Sequence, residues 1–116
     1  MNLNEQTIVR VYEIAYHLVP DLAVEQIPVI SEAVRDMIKR VSTVIISEEI
    51  PVSIDLAYPI IKTIDHKNKS FDKAYFGWFK FESSPFEIVS LEENLKKDKN
   101  IIRYFILKTG KSGSNQ

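Results

Sequence analysis

Asp65-His66-Lys67-Asn68-Lys69-Ser70 parts two long stretches of alternating sequence, and the fold turns on how that polar segment is read. Before it, from Thr43 to Ile64, the apolar period is two: Val44, Ile46, Ile50, Val52, Ile54, Leu56, Tyr58 and Ile60 fall on one face. After it, Phe71 to Glu82 is again strand-like. Two strands joined by a polar turn are most simply an antiparallel hairpin. Pro51 and Pro59 lie on the opposite parity of the first strand, and neither can donate to a ladder. That strand is therefore expected at a sheet edge, with a bulge. Glu48 interrupts its apolar face near one end.

On either side of the hairpin the period changes to 3.6. Upstream, residues 24–41 place Ile27, Ile30, Val34, Met37, Ile38 and Val41 on one helical stripe. Pro28 fits that helix only in its first turn, where a missing N–H costs nothing. Downstream, Ser84-Pro85-Phe86-Glu87 is a helix start, with Ser84 as N-cap and Glu87 closing a capping box. Ile88, Leu91 and Leu95 form its buried stripe, and Lys96 and Lys97 suit the negative end of its dipole. Residues 8–18 and 100–109 complete the pattern as the first and last strands. In the first of these Tyr12, Ile14, Tyr16 and Leu18 share a face, and Val19-Pro20-Asp21 breaks it.

The order is strand, helix, strand, strand, helix, strand. Each βαβ unit prefers a right-handed crossover, and the hairpin joins the two units. The economical solution is an α+β fold: a ferredoxin-like βαββαβ plait, a four-stranded antiparallel sheet with two helices on one face. The domain is expected over 8–109, after an N-terminal extension of residues 1–7 and before a flexible polar tail over 110–116.

Composition narrows the functions. The 116 residues suit one domain with one core. There is no cysteine, which excludes disulfides, thiolate metal sites and cysteine nucleophiles. No run of about 18 apolar residues offers a membrane span, and the first residues do not resemble a secretory signal. Net charge is −1, but residues 1–58 carry about −5 and residues 59–116 about +4. Such polarity either orients the chain on a charged partner or is chance asymmetry of a solvated surface.

A plait with both helices on one side leaves the other side of its sheet open. Phe71, Tyr75, Phe79 and Phe81 share one parity, against Ala74, Phe76, Trp78 and Lys80. In the last strand Ile102, Tyr104 and Ile106 oppose Ile101, Arg103, Phe105 and Leu107. With Phe79, Phe81, Tyr104 and Ile106 in the core, Phe76, Trp78, Arg103 and Phe105 lie outside. Large aromatics beside a guanidinium suit stacked bases or a docked protein segment. Two plainer readings stand beside it: an inverted parity, with these residues in the core, or a homodimer closing sheet on sheet.

Catalytic signatures are absent from the sequence. Gly77, Gly110 and Gly113 are isolated, so no phosphate loop is present. His17 and His66 have no neighbours at metal-ligand spacing, and no metal or cofactor is expected. His66 is expected in solvent, and His17 on the open face within reach of a partner. Glu48-Glu49 and Glu92-Glu93 are adjacent acids whose side chains diverge, and no serine has a nucleophile-elbow context.

Four segments, in order, resemble the bacterial small-subunit ribosomal protein six family: Arg10-Val11-Tyr12-Glu13-Ile14, Leu56-Ala57-Tyr58-Pro59-Ile60-Ile61-Lys62, Ala74-Tyr75-Phe76-Gly77-Trp78-Phe79, and Leu91-Glu92-Glu93-Asn94-Leu95 running on to Asn100-Ile101-Ile102-Arg103-Tyr104. The resemblance spans roughly residues 8–109. It implies the same plait and no enzymatic activity. It also implies a structural role in the small ribosomal subunit, in the cytoplasm, bound to platform rRNA together with ribosomal protein eighteen. The alternative is a divergent non-ribosomal relative whose open sheet face binds protein only. The motif positions are Tyr12, Tyr58, Pro59 and Lys62, with both tyrosines on the expected core faces as packing residues. Candidate contacts are the cations Arg10, Lys62, Lys67, Lys69, Lys108 and Lys111, with Phe76, Trp78, Arg103 and Phe105 on the open face. Where family members commonly carry two arginines before the Leu-Ala-Tyr-Pro-Ile segment, this chain has Ile54 and Asp55.

Overall fold

The turn between the two long strands is tighter than its polar residues suggest. Only Asp65 and His66 leave the ladder, with φ of 51° and 66°, and Ile64 pairs with Lys67. A two-residue loop with both central φ values positive has the backbone twist that a hairpin prefers. In the computed structural model, which describes residues 8–111 and the side chains of 8–109, the elements are β1 (Arg10–Leu18), α1 (Gln26–Lys39), β2 (Val44–Ile64), β3 (Lys67–Ser83), α2 (Pro85–Lys97) and β4 (Ile101–Lys111). The sheet order is β2-β3-β1-β4, with every pair antiparallel. Both helices cover one face, so the ferredoxin-like plait is the fold. β4 pairs to Lys111, opposite Arg10, and so runs two residues into the expected tail. The expected extension over 1–7 and the remainder of the tail, 112–116, lie outside the described residues.

The core follows from alternation on the central strands. Tyr12, Ile14, Tyr16 and Leu18 of β1 and Phe79 and Phe81 of β3 are buried against Ile27, Ile30, Val34 and Ile38 of α1 and Leu91 and Leu95 of α2. Full burial of each aliphatic or Phe side chain is worth roughly 1.5–3 kcal/mol. Tyr12 stacks on Phe81 at 6.1 Å and Tyr16 on Phe79 at 5.9 Å between ring centroids. Gly77 stands directly opposite Tyr16, and a Cβ there would lie 2.9 Å from both the Tyr16 hydroxyl and Pro51 Cγ. The absent side chain is what lets the tyrosine cross the strand.

The helices begin as the sequence dictates. Ser84 Oγ accepts from the Glu87 N–H, and Pro85 occupies the first helical position of α2. α1 has no side-chain cap at Glu25; the Gln26 side chain instead accepts from the Ala23 N–H at 2.8 Å. Pro28 lies in the first turn of α1, so it breaks no helical hydrogen bond.

β2 departs from a single apolar face. It is an edge strand, but its register against β3 shifts three times, between Ile45 and Ser47, Glu49 and Val52, and Asp55 and Ile60. Each extra residue turns the following side chains to the other face. Val52 therefore pairs with Phe76 on the open side, while Glu48 stands opposite Phe79 on the helix side and ion-pairs with Arg35 of α1. Tyr58, expected to pack, is 83% exposed, whereas Ile60 is buried. Two further parities are corrected. A β4 bulge sets Arg103 opposite His17 but Ile101 opposite Leu18, which turns Ile101 into the core. Ala74 lies past the end of β1 and is covered by Val19, Ile60 and Ile102 in a second small cluster.

Beyond β1 the hairpin continues as a two-stranded arm. The molecule accordingly measures 49 × 28 × 26 Å, with a radius of gyration of 15.3 Å against about 13 Å for a compact chain of this length. The arm is tied down at the α2–β4 connection. Lys62 Nζ donates to the Asp98 carbonyl at 3.3 Å and to the Ile101 carbonyl, and Lys99 pairs with Asp65 at 3.2 Å.

Candidate RNA and partner interface

On the open side the strands align side chains into three rows. The first reads Val52, Phe76, His17, Arg103; the second Glu49, Trp78, Ala15, Phe105; the third Ser47, Lys80, Glu13, Leu107. Strands lie about 4.8 Å apart, so the members of a row are lateral neighbours. Phe76, Trp78, Arg103 and Phe105 thus share one face, as their parity requires. Among the described residues no helix covers it.

These side chains hold one another in place. Trp78 Nε1 donates to Glu49 at 2.9 Å. The Arg103 guanidinium lies 4.9 Å from the Phe105 ring centroid, a cation–π contact. His17 meets Phe76 edge-on at 5.1 Å and is 91% buried, with no hydrogen-bond partner at Nδ1. Burial pushes its pKa below the usual value, and the Arg103 guanidinium adds to this; a hydrogen bond with the Arg103 backbone partly opposes it. Ala15, the small residue in the middle row, leaves a hollow of about 230 Å³ lined by Glu13, Ala15, Phe76 and Trp78. Phe105 and Leu107 remain 47% and 60% exposed. The face therefore offers aromatic and aliphatic surface with one guanidinium at its border.

The other sequence candidates lie elsewhere. Lys67 and Lys69 are exposed on the arm, opposite Ile64 and Lys62. Lys62 is half-buried against the two carbonyls, and desolvation lowers its pKa while the Asp98 charge raises it. Arg10 is buried at the other end of β1, and Lys108 is exposed on β4 opposite Tyr12. The Lys111 backbone pairs with Arg10; its side chain lies outside the described ones. The ten candidates thus occupy three places, of which the open face gathers four.

In the sequence Lys96 and Lys97 have only a dipole role and Lys99 has none. All three stand beside the arm: Lys62, Thr63, Ile64 and Asp65 share a hollow of about 130 Å³ with Lys96, Lys97, Asp98 and Lys99. The signal was available as a run of three lysines within four residues, but α2's C-terminus explained its first half locally. At the positions where the family commonly has arginines, Ile54 is half-buried opposite Ala74, and Asp55 is exposed with Lys73 at 3.9 Å.

The profile of the family described as Ribosomal protein S6 matches residues 11–108. Among solved structures, the 30S ribosomal protein S6 of Thermotoga maritima superposes with a TM-score of 0.60 at 17% identity, covering 87% of this chain and 88% of that one. The GlnK–ATP complex of B. subtilis aligns with a TM-score of 0.44 at 8% identity, over 86% of this chain and 84% of that one. Of the two, only the first bears on the fold. No curated protein sequence matches.

Proposed function

The chain belongs to the ribosomal protein S6 family, and from that premise we propose that it is a structural constituent of the small ribosomal subunit, binding platform rRNA together with ribosomal protein eighteen in the cytoplasm. The observation that carries the reading is the uncovered sheet face, where Phe76, Trp78, Phe105 and Arg103 stand in adjoining rows. An aromatic surface of this kind serves unstacked bases or a protein segment, and the lysines of the arm supply phosphate contacts. A second reading, a relative that binds protein only, is favoured by Ile54 and Asp55 standing where family members commonly carry arginines.

The deciding experiment titrates the chain, alone and with ribosomal protein eighteen, against a platform rRNA fragment at several salt concentrations. Phosphate contacts make affinity fall steeply with salt. The rRNA reading expects that steep fall. Binding to ribosomal protein eighteen with no RNA affinity in either mixture favours the protein-only reading.

A further inference from the structure

We propose that the cleft between the β2–β3 arm and the last turn of α2 is the seat of the RNA phosphate backbone. The proposal rests on the RNA-binding reading above and gives the phosphates a place on the molecule, one that adds Lys96, Lys97 and Lys99 to the contact surface.

Lys62 pairs with Lys69, and Ile64 with Lys67, so these side chains share one face of the arm. The Lys62 ammonium reaches the Asp98 and Ile101 carbonyls, which fixes that face toward the α2–β4 connection. Across from it stand Lys96, Lys97 and Lys99. Two adjoining hollows, of about 350 and 130 Å³, share Lys62, Thr63 and Lys96 as lining. Arg103 and Tyr104 border the larger one, and Arg103 also ends the first row of the open sheet face. Arg103 therefore borders both the cleft and the aromatic face.

Charge decides the occupant. Lys62, Lys96, Lys97 and Lys99 line the hollows with two carboxylates, Asp65 and Asp98, and Lys67 and Lys69 adjoin them on the same face of the arm, on a chain whose net charge is −1. Like charges on one surface repel one another over a Debye length of about 8 Å. The α2 C-terminal dipole relieves this in part, and Lys62 already uses two of its three donors on backbone carbonyls. A ligand with one negative charge at each short step along a flexible strand relieves the rest. Lysine suits it, because an ammonium is a point charge that meets a phosphate without demanding fixed geometry.

The test compares two exposed double variants of the full chain that remove equal charge. Lys69→Ala/Lys97→Ala removes one cation from each side of the cleft, whereas Lys39→Ala/Arg40→Ala removes two cations at the C-terminal end of α1, at the opposite end of the sheet. Each phosphate contact contributes roughly 0.7–0.9 to the slope of log K against log salt. The cleft variant is expected to lower the slope by about 1.4–1.8 and the affinity for platform rRNA by roughly 25–60-fold at 0.1 M salt. The α1 variant is expected to leave the slope near that of the wild type, and circular dichroism checks that both fold. Equal losses in both variants, or none in the cleft variant while the wild type binds, overturn the cleft and leave the RNA reading standing. Loss of ribosomal protein eighteen binding alone, with the RNA slope intact, also overturns it and assigns the lysines to a protein. Failure of the wild type to bind rRNA, with or without that protein, removes the reading beneath it and the cleft together.

Discussion

Gly77 has two neighbours that do not yield easily, an aromatic ring and a proline. A methyl group there meets the Tyr16 hydroxyl and Pro51 Cγ at 2.9 Å, so either Tyr16 leaves its stack on Phe79 or β2 moves outward. Overpacking of this kind costs about 1–3 kcal/mol. Gly77→Ala is therefore expected to lower the unfolding free energy by that margin, read in urea titrations, and adding Pro51→Ala should restore part of it. His17 makes a prediction in pH. Its folded pKa lies below the unfolded 6.5, so the native state disfavours the proton that the unfolded chain accepts. Its contribution is complete above pH 6.5 and is lost as the pH falls through the window below it. Urea midpoints measured between pH 7.5 and 5 should decline more for the wild type than for His17→Gln; parallel curves would remove His17 as the cause.

Among the elements, α2 was readable to the residue because its signals are local: Ser84 and Pro85 at one end, Leu91 and Leu95 at helical spacing, lysines at the other. β2 was not. Its bulges depend on what β3 presents, and nothing in Val44–Ile64 alone tells that three residues beyond a regular ladder intervene between Asp55 and Ile60. Tyr58 was consequently given to the core and is found in solvent, while Glu48, apparently a flaw in an apolar face, is the anchor that Arg35 grips. The arm's turn carries its own prediction. His66 holds a φ of 66°, which costs a residue bearing a Cβ about 1–2 kcal/mol and glycine almost nothing. His66→Gly is thus expected to raise stability by about 1 kcal/mol in thermal or urea unfolding, with the Asp65–Lys99 pair retained. A loss of stability would mean that the imidazole makes a contact worth more than the strain it bears.

At the scale of the molecule, half of the proposed interface is legible in the sequence and half is not. The parity of Phe76 and Trp78, set against Phe79 and Phe81, sufficed to put the aromatics outside, because β3 pairs regularly with β1 from Tyr75 to Ser83. The lysine cleft needed the arm's return to α2, a long-range contact made through Lys62 and Asp65 that no local pattern encodes. One consequence of the strand order concerns synthesis. β1 is the first strand to leave the ribosome, yet its two ladders belong to β3 and to β4, and the last of those bonds awaits Lys111. Translation from Val19 to Lys111 at ~5–20 residues per second takes on the order of 5–20 s. Until β3 is complete at Ser83 the nascent strand carries Tyr12, Ile14, Tyr16 and Leu18 with no sheet to join, and until Lys111 its second ladder stays unfinished. The most buried part of the finished protein is thus the part longest exposed while it is being made, and nascent chains arrested before β3 should engage holdase chaperones through this segment.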